Sequence, residues 1–134
     1  MAQNTSTTRG QLLADNVAVS VGTGAVTTLL DLPVADVDEV GIEVTPTTNA
    51  FDAFEVHGKF HPSGSYQTLY SSAGSFTSPV GLLIGASGDL TALAAASTGW
   101  LFIDTLPLYG LKVVASAAGG TATVTARAIG KARG

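Results

Sequence analysis

The feature that most constrains this chain is a side-chain period of two. Over residues 54–61, Phe54, Val56, Gly58 and Phe60 alternate with Glu55, His57, Lys59 and His61. Successive side chains on a strand point to opposite faces, so such a segment offers one row to a core and one to water. The same period runs through Val40, Ile42 and Val44, set against Gly41, Glu43 and Thr45. It recurs in Val17, Val19 and Val21, in Leu111, Val113 and Ala115, and in Ala122, Val124, Ala126 and Ala128. Further strands are expected at 26–32, 66–70, 80–84 and 100–105. Pro33 and Pro46 read as strand ends, and Pro62-Ser63-Gly64-Ser65 as a hairpin turn.

Short strands joined by turn-rich links, with almost no helix, predict an all-β fold. The expected architecture is an antiparallel β-sandwich of about eight strands, jelly-roll-like, spanning 11–130. A polar arm at 1–10 precedes it and a short basic tail at 131–134 follows. Only 89–97 suits a helix, with Asp89 as cap and Leu90, Leu93 and Ala94 facing inward; helix and loop both stay open there.

Composition bears on function mainly through what it excludes. Of 134 residues only 12% are charged, about half the usual share. The outer surface is therefore expected to be small and neutral, which solvates poorly in an isolated subunit. Either a biased genome or coverage by partners accounts for it. A net charge of −4 argues against binding nucleic acid, which needs clustered Lys and Arg. Charge is segregated: Asp31, Asp36, Asp38, Glu39, Glu43, Asp52 and Glu55 crowd one stretch, while Arg127, Lys131 and Arg133 sit near the C-terminus. Solvated loops explain this, as do complementary patches meeting across subunits. With no cysteine, disulfides, thiol chemistry and Cys-based zinc sites are excluded. No apolar run approaches a membrane span, and residues 1–10 lack the apolar core of a secretory signal.

The candidate chemistry is sparse. His57 and His61 share one strand face, roughly 13 Å apart, too far to grip one metal. No Gly-x-Ser-x-Gly elbow occurs, and Gly85-Ala86-Ser87-Gly88 reads as a turn. Gly22-Thr23-Gly24 lacks the third glycine of a nucleotide fingerprint. Asp52 with Glu55 is the nearest approach to a glycosidase pair. Trp100 and Phe102 beside Asp104, with Tyr66 and Tyr70 elsewhere, leave a sugar-binding module open, but a second core side or a subunit contact is the plainer explanation of the first two. No catalytic residue, cofactor or metal is expected.

Three linked segments carry a resemblance. They are Ala53-Phe54-Glu55-Val56-His57-Gly58-Lys59-Phe60 running on through Gly64-Ser65-Tyr66-Gln67-Thr68-Leu69-Tyr70, then Gly99-Trp100-Leu101-Phe102-Ile103-Asp104, then residues 111–116 followed by 120–127. In this order they resemble small β-sandwich structural proteins of tailed bacteriophages, among them capsid decoration (cement) proteins and some neck or tail components. The likeness covers roughly 11–130. It implies a non-enzymatic virion protein on the outer capsid surface, a homodimer or homotrimer bound to the major capsid protein, with no direct nucleic-acid or membrane contact. Neck, connector or tail subunits and a carbohydrate-binding module are the alternatives. The residues expected to touch partners are Thr5, Thr7, Thr8 and Arg9 in the arm, Leu12 and Leu13 after it, and Arg127, Lys131 and Arg133 at the other end.

Overall fold

A computed structural model describes residues 11–24, 26–70, 83–87 and 90–131. The expected arm at 1–10 and the tail beyond Lys131 lie outside the described residues, as does Asp89. Among the described residues there are nine strands: β1 (Gln11–Val21), β2 (Thr27–Pro33), β3 (Glu39–Thr47), β4 (Phe51–Lys59), β5 (Gln67–Tyr70), β6 (Leu83–Ala86), β7 (Gly99–Asp104), β8 (Gly110–Ala117) and β9 (Ala122–Lys131). One sheet has the order β1-β9-β3-β7-β6 and the other β2-β8-β4-β5. Every paired strand runs antiparallel to its neighbour. With the short edge strand β6 set aside, the other eight pair as nested couples, first with last and so inward to β4 with β5. That is a long hairpin rolled over on itself, the strand order of a jelly roll.

The core lies between the sheets. Val40, Ile42, Val44, Leu101 and Ile103 come from the five-stranded sheet, with Ala122, Val124, Ala126 and Ala128 along β9. The other sheet supplies the bulk: Phe51 and Phe54 have ring centroids 5.6 Å apart, and Tyr70 meets Phe54 edge-on at 5.9 Å. The inner rows of the two sheets together fill the space between them. Among the described residues no buried side-chain N or O lacks a partner.

Several expectations change in detail, each for a local reason. Val17 does not share a face with Val19 and Val21. A bulge between Asn16 and Val19, with Ala18 at φ 61°, turns Val17 out to solvent. A bulge in β2 at Thr28–Leu30 has the opposite effect and buries both Leu29 and Leu30. Phe60 is exposed because β4 ends at Lys59 and the chain has entered its turn, closed by Gly64 N–H donating to the His61 carbonyl at 2.9 Å. Pro46 does not end its strand. It pairs opposite Val124, and its carbonyl accepts from Ala96 N–H at 2.7 Å on the side where β7 has already stopped. Its missing N–H therefore costs no ladder bond. Gly85 and Ala86 end β6 rather than forming a turn. Among the described residues of the 89–97 stretch the one helical turn is a 3-10 turn at Leu90–Ala92; Leu90 is buried and Leu93 packs on the core, but Ala94 is exposed.

Candidate functional site

The two outer faces of the sandwich differ in kind. On the four-stranded sheet the polar groups are tied to one another. Tyr66 Oη donates to Asp31 Oδ1 at 3.1 Å. Lys112 Nζ sits 4.6 Å from the centre of the Tyr66 ring, and Lys59 Nζ sits 5.2 Å from it and 5.8 Å from that of Tyr109. Partial burial, followed by the bond to Asp31, raises the Tyr66 hydroxyl above its ordinary pKa. Glu55 and His57 pair at 3.0 Å. Among the described residues, the cations of this face already have aromatic or acidic company.

The outer face of the five-stranded sheet is built otherwise. Its middle row crosses the strands through Leu12, Ile129, Gly41 and Phe102, which are ladder partners in that order. Leu12 is 60% exposed, Ile129 51%, Trp100 42% and Phe102 41%. Gly41 supplies no side chain, so the row has a furrow at its centre, about 550 Å³ in volume. Its walls are Leu12 and Ile129 on one side and Phe102 and Trp100 on the other. The Phe102 ring leans over the glycine; a Cβ there would meet Phe102 Cε1 at 2.9 Å. Trp100 and Phe102 stack at 5.2 Å with a 35° tilt.

Charges frame the furrow at both ends. At one, Lys131 lies opposite Glu39; at the other, Arg127 lies opposite Glu43. Arg127 Nε donates to Asp15 Oδ1 at 2.7 Å, and one of its terminal nitrogens stands 3.8 Å from Glu43 Oε1. The bond to Asp15, then its charge, raises the already high pKa of this guanidinium, so it stays cationic. Among the described residues neither Lys131 nor Glu39 has an ion-pair partner. Glu39 and Glu43 of the acidic stretch and Arg127 and Lys131 of the basic end, far apart in sequence, thus sit on neighbouring strands of one sheet, whereas Asp31, Asp52 and Glu55 lie on the other.

Of the expected contact residues, Leu12, Arg127 and Lys131 come together on this face. Leu13 does not: it turns inward, where its Cδ1 lies 2.7 Å from the position a Cβ on Gly130 would take. Thr5, Thr7, Thr8, Arg9 and Arg133 lie outside the described residues. Sequence reasoning missed Ile129, Gly41 and the role of Glu39 and Glu43. The signal for them is an apolar residue out of phase on β9, but using it requires the register with β3.

The remaining candidates resolve into structural roles. His57 and His61 do not share a face: His61 Nδ1 accepts from Ser63 N–H at 3.1 Å within the turn. Asp104 accepts from Leu106 N–H at 3.0 Å. Thr23 donates to the Gly120 carbonyl at 2.9 Å, joining two turns, and Ser87 Oγ accepts from Trp100 N–H at 3.0 Å. Tyr70 is buried, its hydroxyl accepting from Leu90 N–H at 2.9 Å, which removes it as a sugar platform. Among the described residues no group of three or more His, Asp or Glu is placed to hold a metal, and no helix is long and apolar enough to cross a membrane.

No protein-family model matches this chain, and no curated protein matches it in sequence. Similar folds are found among solved structures. The SPBc2 prophage-derived protein YomS superposes with a TM-score of 0.53 at 9% identity, over 90% of this chain and 91% of that one. The PBSX exported protein XepA superposes with a TM-score of 0.50 at 21% identity, over 91% of this chain and 37% of that one. The chain therefore matches YomS over nearly all its length and only a part of XepA, and at these identities the shared property is the all-β sandwich itself.

Proposed function

We propose that this chain is a non-enzymatic structural protein of a bacteriophage virion, a decoration or cement protein bound to the major capsid protein on the outside of the shell. The observation that carries the proposal is the outer face of the five-stranded sheet. Four large apolar side chains stand bare there around a furrow, framed by charge. An apolar core with a polar rim is the anatomy of a protein contact, and a patch of this kind marks an interaction site more often than an accident of folding. The prophage origin stated in the name of YomS supports placing that contact in a virion. Thr5, Thr7, Thr8 and Arg9, together with Arg133, are proposed as further contacts with the shell. Many weak contacts repeated over a lattice supply avidity that no single one has.

Quantitative mass spectrometry of purified particles, with cryo-electron microscopy of the same particles, tests this. Copies comparable in number to the major capsid protein, seen on the outer surface, are the expected result. Copies confined to one vertex reassign the chain to the neck or tail. Absence from particles refutes a virion role. A second reading, carbohydrate binding, is favoured by one observation: Trp100 is exposed beside an open furrow. A glycan array decides it, since a sugar platform gives hits that Trp100→Ala abolishes.

A further inference from the structure

We propose that the chain forms an isologous dimer, five-stranded sheet against five-stranded sheet, about a twofold axis that runs parallel to the strands above the seam between β9 and β3. The inference rests on reading this face as a protein contact, and not on the virion assignment; it gives the face to a second copy and leaves Thr5, Thr7, Thr8, Arg9 and Arg133 as the residues proposed to touch the shell.

The argument comes from the ladder register. A twofold axis over that seam exchanges the two strands at constant height. Each β9 residue is then set opposite the partner's copy of its own β3 neighbour. Lys131 meets the partner's Glu39, and Arg127 meets the partner's Glu43. Ile129 meets the partner's Gly41, so the side chain that stands proud on one copy faces the furrow of the other. One strand further out on each side, Leu12 of β1 meets the partner's Phe102 of β7. Opposite charges, knob and furrow, and the Leu12 and Phe102 walls match in a single placement, while Trp100 falls opposite the partner's Asp15.

The competing symmetric placement fails on charge. An axis across the strands, through the row of Gly41, would set Lys131 on the partner's Arg127 and Glu39 on the partner's Glu43. Like charges juxtaposed at an interface cost several kcal/mol, so the face selects the first axis over the second. Packed sheets cross at about 30°, which preserves the match near the axis, where these residues lie. Arg127 can serve both contacts, because its Nε is committed to Asp15 while the planar fork keeps further donors. Lys131 and Glu39, with no ion-pair partner among the described residues, are free to find one across the interface.

The test is size-exclusion chromatography with light scattering on the full chain. The wild-type chain is expected at twice the chain mass. Lys131→Glu and Glu39→Lys each place like charges opposite one another at two symmetric points, and each is expected to weaken association by about tenfold or more. Mixing the two variants in equal amounts restores the dimer, because every like contact becomes an opposite one in the mixed pair. A loss of folding in either variant gives no such rescue. Ile129→Lys, which drives a cation into the partner's furrow, is expected to run as a folded monomer by circular dichroism and scattering. A monomeric wild-type chain, a trimer, variants as dimeric as wild type, or a mixture that stays monomeric would each overturn the proposal. The virion measurement is unaffected by any of these, so the two readings fail separately.

Discussion

Adding one carbon to a glycine should have different consequences on the two sheets. At Gly58 the new Cβ would meet Leu69 Cδ1 at 2.9 Å and Leu108 Cδ2 at 3.0 Å. Both leucines are buried in the core, so neither can withdraw. Overpacking of this kind costs about 1–3 kcal/mol. Restricting the unfolded chain returns about 0.4–1 kcal/mol. Gly58→Ala is therefore expected to destabilise by about 1–2 kcal/mol. At Gly41 the distances are nearly the same, 2.9 and 3.0 Å, but both are to the ring of Phe102, which is 41% exposed. That ring can swing toward solvent. If it gives up roughly 40 Å² of contact, the loss is about 1 kcal/mol, close to the gain from the unfolded state. Gly41→Ala should thus leave monomer stability unchanged within about 0.5 kcal/mol. Because the methyl and the displaced ring fill the furrow, the same change should weaken self-association. Urea unfolding at a concentration where the chain is monomeric measures the first quantity, and light scattering the second. Equal destabilisation at Gly41 and Gly58 would refute the view that the outer face yields where the core does not.

Other expectations follow from the same geometry. Phe54→Ala removes a fully buried ring between Phe51 and Tyr70 and should cost about 3–5 kcal/mol in urea unfolding. Tyr70→Phe leaves the Leu90 N–H without its acceptor and should cost about 1–3 kcal/mol; a loss well below that would mean water replaces the hydroxyl. Tyr66 has a raised pKa in the folded chain, so its contribution to stability is complete below the ordinary tyrosine value and is lost as pH rises through the raised one. Phenolate absorbance should show a late-ionising component that Tyr66→Phe deletes; an unchanged titration would remove the role given to burial and Asp31.

What could be read from residues alone was the period, and what could not was the register. The alternation of Val40, Ile42 and Val44 and of Ala122, Val124 and Ala126 gave the correct inner rows, because a strand with one buried face must alternate. It failed at Val17, where a bulge adds a residue and reverses the faces, and a second bulge, in β2, buries the consecutive Leu29 and Leu30. No local pattern announces the bulge at Ala18, since it is imposed by the pairing with β9. The site suffers more from the same blindness. Segregated charge was visible in sequence, but that Glu39 stands beside Lys131 and Gly41 beside Ile129 depends on which strands pair, and a one-residue slip would exchange the faces. In sequence Trp100 and Phe102 read as a second core side, a subunit contact or a sugar platform, and the empty position across from them is a glycine among many.

The nested strand order also has a consequence in time. β9, the last of the described strands in chain order, lies in the interior of its sheet between β1 and β3. Until residues 122–131 have left the ribosome, β1 has no ladder partner and β3 has an open edge. Native pairing of β1 spans most of the chain, from Gln11 to Gly130, and closing so long a loop is slow. During synthesis the nascent chain therefore holds unpaired edges and a half-covered core, the kind of species that aggregates or recruits chaperones. Translation that stalls just short of β9 would leave an adhesive intermediate in place of a smaller stable fold.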